Sequence, residues 1–148
     1  MSGSVRLKLD HESATADFYA DTRLLGIVCP LPDFQFSWRL NNHLGFNFRI
    51  NTAMEIKLVK KNRSYYFSIY DFAPHNRALV HYLYSNEYDG EFLLPELKNF
   101  DFLWLMKHDP VEQEELEALM QSLKRVPGVQ LVTEVKPGNV KNKKHLLI

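Results

Sequence analysis

The chain has 148 residues, 45% of them apolar, and its 18 basic and 18 acidic side chains cancel at neutral pH. That length suits one domain able to bury its own core without a staple, and the single cysteine, Cys29, permits neither an internal disulfide nor a thiolate metal cluster. A neutral chain lacks the long-range field that draws proteins to phosphate backbones or anionic membranes, so both are disfavoured partners.

No repeat, low-complexity tract or linker divides residues 1–148, which predicts one compact unit. The start MSGSVRLKLDHES has no apolar signal core, and no stretch reaches the roughly 18 apolar residues of a membrane helix. With one cysteine only, a reducing cytoplasm is the expected location.

In chain order, VRLKL (5–9) alternates apolar and polar residues as a half-buried strand does, and RLLGIVC (23–29) is a second strand. LPDFQFSWRLNNHLG predicts a helix with Pro32 and Asp33 in its first turn and Gly45 ending it. Its i,i+4 pairs, Phe34–Trp38 and Phe36–Leu40, put apolar groups on more than one side, so deep burial is expected. FNFRI, EIKLV, YYFSIYDF, ALVHYLY and EFLLP are short, aromatic or β-branched strands separated by polar turns such as KKNRS and SNEYDG. Connections this short predict an antiparallel meander. FDFLWLM follows as a further strand.

HDPVEQEELEALMQSLKRVPG predicts the second helix. Asp109 and Glu112 form a D-x-x-E capping pattern around Pro110, and Leu116, Leu119, Met120 and Leu123 make one stripe before Pro127-Gly128 stops it. VQLVTEV (129–135) alternates as a last strand, and the basic tail ends in apolar residues that should dock. The sum is an α+β domain: a mostly antiparallel sheet of about six strands with two main helices packed on it.

LPELKNFDF (94–102) resembles the signature of the IPExxxVDY family of small bacterial proteins. Pro95, Glu96 and Asp101 match at the required spacing, whereas Leu94, Phe100 and Phe102 stand where the pattern has Ile, Val and Tyr. The last replacement removes a hydroxyl. The resemblance extends over most of the chain, including LLGIVCPLPDFQFSWRLNNHLG, and implies a protein with no assigned activity, cofactor or ligand.

Strict alternation along this segment puts Phe100, Phe102, Trp104 and Met106 on one face and Asp101 with Leu103 and Leu105 on the other. An acid there needs partners, because burying an unpaired charge costs several kcal/mol or more. The favoured reading makes Glu96 and Asp101 structural, accepting nearby turn amides after Pro95. The competing reading makes them an acid/base pair in the pocket of a small-molecule binder or enzyme. No nucleophile elbow, phosphate loop or Cys/His pair accompanies them, so no catalytic residue is assigned and no cofactor is expected.

None of the six histidines has metal-helix spacing, so no metal site is expected, and His81, alternating with Leu79 and Leu83, predicts a satisfied core ring. Lys57, Lys60, Lys61 and Arg63 beside Tyr65 and Tyr66 form the one candidate nucleic-acid patch. A solvated hairpin tip explains them more simply. Cys29, in IVCPLP, reads as inert packing. The functional expectation is therefore a non-catalytic domain that binds an unidentified protein or pairs with itself as a homodimer, on the strength of ten Phe, seven Tyr and two Trp.

Overall fold

A computed structural model describes residues 21–146; the strand predicted at 5–9 lies outside them. Its strands are β1 (Arg23–Val28), β2 (Arg49–Ile50), β3 (Ile56–Lys60), β4 (Arg63–Phe67), β5 (Ile69–Phe72), β6 (Val80–Ser85), β7 (Glu87–Tyr88), β8 (Glu91–Phe92), β9 (Phe102–Lys107) and β10 (Leu131–Glu134). The helices are α1 (Asp33–Leu44) and α2 (Gln113–Lys124). The protein is an α+β domain whose six-stranded sheet runs β10-β1-β9-β6-β5-β2, with every neighbouring pair antiparallel. β3–β4 and β7–β8 form separate two-stranded ribbons.

The expected pairing of consecutive strands holds for β3–β4, β5–β6 and β7–β8, but within the six-stranded sheet β5–β6 is the one pair adjacent in sequence. β1 inserts between β9 and β10, with Ile27 opposite both Phe102 and Val132. Strands β1 and β9 are near-continuously apolar because both faces of the sheet are covered, which leaves them no solvent side. On one face Leu25, Ile27, Phe102, Trp104 and Met106 pack under Phe36 and Leu40 of α1 and Leu116 and Leu123 of α2. On the other, Leu24, Leu103 and Leu105 meet Ile56 and Phe67 of the β3–β4 ribbon, Leu93, Leu94 and Leu97, and Val140 and Leu146 of the tail. Each fully buried aliphatic or aromatic side chain contributes about 1.5–3 kcal/mol.

Local chemistry explains the element ends. Lys61 and Asn62, with φ of 52° and 64°, make the two-residue turn of left-handed residues that suits a twisted hairpin. Gly45 takes the left-handed conformation at the end of α1, its N–H bonding to Asn41 O at 3.1 Å. YYFSIYDF is cut at Ser68, its first half joining the β3–β4 ribbon and its second the main sheet. FNFRI supplies only Arg49 and Ile50 to the ladder, while the rings of Phe46 and Phe48 pack on Trp104.

Three expectations are corrected. α2 starts at Gln113, not Pro110, and Glu112 makes no side-chain cap. Arg77 binds the Asp109 carboxylate at 2.8 Å and Pro110 O at 3.2 Å, and Arg23 donates to Val111 O at 3.1 Å, so residues 109–111 are held outside the helix. α1 is not deeply buried: Phe34 and Trp38 are 67% and 61% exposed, while Phe36 and Leu40 are buried. Phe100 does not share a face with Phe102. Its N–H bonds Leu97 O at 3.0 Å within a turn that precedes β9, and its ring lies on the opposite side against Gly26. A Cβ at Gly26 would sit 2.6 Å from that ring, which accounts for glycine in the middle of a buried strand.

Candidate functional site

The 94–102 segment is built around a residue outside it. Pro95 opens a single 3-10 turn (Pro95–Leu97), where its missing N–H leaves nothing unsatisfied, and Leu93, Leu94 and Leu97 go under the sheet. Burying this irregular backbone demands hydrogen-bond partners. Asn86, fully buried just past β6, supplies them. Its Oδ1 accepts the Leu94 N–H at 2.9 Å, and its Nδ2 donates to Leu97 O at 2.9 Å and Phe100 O at 3.0 Å. Its main chain adds Asn86 N to Asp101 O at 3.0 Å and accepts Leu93 N at 2.8 Å. Sequence reasoning missed Asn86 because SNEYDG has the composition of an exposed turn.

Glu96 and Asp101 also accept amides, but from distant segments rather than the adjacent turn. Glu96 Oε2 accepts Lys141 N at 2.7 Å and Asn142 N at 2.8 Å, and its Oε1 accepts Asn142 Nδ2 at 2.9 Å. Burial acts to raise this carboxyl's pKa, but the hydrogen bonds from Asn142 and Lys141 outweigh it and hold the group below the ordinary glutamate range. The tail is further tied by Tyr84 Oη donating to Leu146 O at 2.7 Å, and by His145 Nδ1 at 2.9 Å from Leu93 O. Asp101 Oδ2 accepts the Cys29 N–H at 2.7 Å, and Asp101 N donates to Ile27 O at 2.9 Å, joining the segment to the end of β1.

The two acids do not converge on the cleft that Asp101 borders. That cleft, of about 530 Å³, is lined by Cys29, Pro32, Asp33, Ser85 and the rings of Tyr66 and Tyr88; Glu96 is not among its walls. Burial pushes the Cys29 thiol up to about 11, so it stays protonated and a poor nucleophile at neutral pH. Among the described residues no group of three or more His, Cys, Asp or Glu side chains could hold a metal ion.

If Glu96 anchors the tail, Glu96→Gln should cost about 1–2 kcal/mol, charged hydrogen bonds discounted for partial exposure. The carboxylate pKa is lowered in the fold, so this stabilisation is present at neutral pH and fades as pH falls through the lowered value. Amide exchange at residues 141 and 142 should accelerate in the variant. Unchanged protection there would show that the tail is held without Glu96.

The basic residues of the β3–β4 hairpin lie together, but acids oppose them. Lys60 pairs with Glu91 at 2.7 Å, and Arg63 pairs with Asp89 while lying 5.3 Å above the Tyr65 ring. Lys57 and Lys61 are exposed.

His81 is 7% exposed in the helix-side core, its Nδ1 accepting the Trp104 Nε1–H at 3.0 Å. Burial, with a smaller contribution from the Arg77 charge, lowers its pKa to about 4, so the ring is neutral at pH 7.

The fold belongs to the α+β class, an antiparallel sheet covered on both faces. No family model matches the chain, and no curated protein matches it significantly.

Proposed function

We propose that this is a non-catalytic interaction domain that docks a partner protein, or a second copy of itself, on the outer face of α1. The observation that carries this is the pair Phe34 and Trp38, one helical turn apart and mostly exposed. Such rings forfeit about 1.5–3 kcal/mol each while wet, and aromatic side chains are the usual anchors of protein interfaces.

The alternative, a binder or enzyme using Glu96 and Asp101 together, has less support, since one carboxylate engages the tail and the other the end of β1. The nucleic-acid reading is weakened by the ion pairs on Lys60 and Arg63. Among the described residues no helix is long and apolar enough to cross a membrane. A cytoplasmic location and membership of the IPExxxVDY family belong to the same proposal; Pro95, Glu96 and Asp101, at the spacing of that signature, support the latter.

The test compares wild type with Phe34→Ser/Trp38→Ser. Both proteins should melt within about 0.5 kcal/mol of each other, since exposed substitutions rarely do more. Only the wild type should dimerise in sedimentation or hold a reproducible partner from native lysate. A wild type that remains monomeric, with no partner that depends on the two aromatics, overturns the reading.

A further inference from the structure

A hollow of about 380 Å³ lies between the end of α1, strands β5 and β6, and α2. That volume falls within the roughly 300–1,000 Å³ of small-ligand sites. Its walls are apolar, with Leu44, Phe46, Phe72, Leu79, Met106 and Leu119 contributing most of them. Three polar side chains also line it: Arg77, Glu115 and His81. Arg77 and Glu115 are bound to each other at 2.5 Å, and Arg77 is held again by Asp109 at 2.8 Å. That leaves His81.

The His81 ring lies parallel to Phe72, with centroids 4.9 Å apart and 8° between planes, and Phe46 stacks on it at 6.2 Å. Nδ1 accepts the Trp104 indole N–H, which forces the proton of the neutral ring onto Nε2. Nε2–H has no hydrogen-bond partner among the described residues, although the side chain is more than nine-tenths buried. Among the described residues the one side-chain polar atom both fully enclosed and unpaired is Ser85 Oγ, so the His81 Nε2–H keeps a solvent-reaching opening through which a ligand oxygen can meet it.

We propose that this hollow binds a small uncharged molecule with an aromatic or compact apolar body and one accepting oxygen, which takes the Nε2–H of His81. Carboxylates are disfavoured because Arg77, the one cation lining the hollow, is already paired with Glu115 and with Asp109. Cations find no free carboxylate there and no acceptor on His81. The depressed pKa agrees with a ring that remains a single-proton donor at neutral pH. This site is separate from the docking face of α1 and does not depend on it.

The probe is acetophenone, compared with α-methylstyrene, which has the same shape without the carbonyl oxygen. The indole N–H resonance of Trp104, one bond network away from the ligand oxygen, reports binding. Acetophenone should shift that resonance saturably and bind about tenfold more tightly than α-methylstyrene, as one hydrogen bond implies. Leu119→Trp, which fills the hollow from the α2 side and leaves the residues of the His81–Trp104 pair unsubstituted, should abolish the shift. The comparison of the two probes needs only the wild type, so it stands even if that variant misfolds. No saturable shift, equal affinity for the two probes, or undiminished binding in a folded Leu119→Trp variant would each overturn the site.

Discussion

Asn86→Leu is expected to remove about 3–6 kcal/mol of stability, read from urea melts, which is a large share of the roughly 5–15 kcal/mol a domain has. The arithmetic rests on three backbone groups, the Leu94 N–H and the carbonyls of Leu97 and Phe100, that lose their partner while remaining buried. Leucine fills the volume, so the loss reflects hydrogen bonding and not a cavity. Asn86→Asp sharpens the test. An aspartate still accepts from Leu94, but its second oxygen confronts the two carbonyls that Nδ2 now serves. This variant should be nearly as unstable at pH 7 and should recover at low pH, relative to wild type, once the carboxyl can donate. A loss under about 1 kcal/mol in the leucine variant would mean that water replaces the amide and that the loop is not held from this point.

Acidification from pH 7 to pH 4 should cost about 3 kcal/mol through His81 alone. The folded pKa is lowered to about 4, while an unfolded histidine titrates near 6.5. Between those values the unfolded chain binds the proton and the folded one does not, so stability falls as pH falls through this window and is whole above it. His81→Gln retains an acceptor for the Trp104 indole and has no proton to gain. Its stability should be nearly flat between pH 6.5 and 5, where wild type declines, and the two should diverge in denaturant melts followed by the buried tryptophan. Parallel curves would place the acid sensitivity elsewhere.

Both predictions concern residues that the sequence displays very differently. His81 alternates with Leu79 and Leu83, and that period alone put its ring in the core. Asn86 sits in a run of turn-forming residues, and nothing local distinguishes a buried amide from a solvated one. Helix and hairpin ends were legible where they depend on neighbours, as with Gly45 and the turn after Lys60. The start of α2 was not, because a distant arginine, Arg77, takes the Asp109 carboxylate that the capping pattern assigns to the helix. The same limit applies to α1. Its two apolar stripes are evident, but which one faces the sheet depends on the partner surface, and the stripe with Phe34 and Trp38 stayed outside. Phe100 was misplaced because alternation was carried back past the true start of β9 into a turn. Glu96 and Asp101 were identified as groups needing partners, yet their donors lie 45, 46 and 72 residues away, beyond any local pattern.

The position of β1 bears on how the polypeptide reaches this form during synthesis. Leu24 through Val28 leave the ribosome long before their hydrogen-bonding neighbours, Phe102–Leu105 on one side and Leu131–Glu134 on the other. For the time needed to translate that interval, a wholly nonpolar ribbon with two open edges is without its native mates, the condition under which nascent chains recruit chaperones or coalesce. Loop closures of this span also slow collapse to the final topology. Production of the protein should therefore respond more to elongation rate and chaperone supply than to the thermodynamic strength of the finished fold.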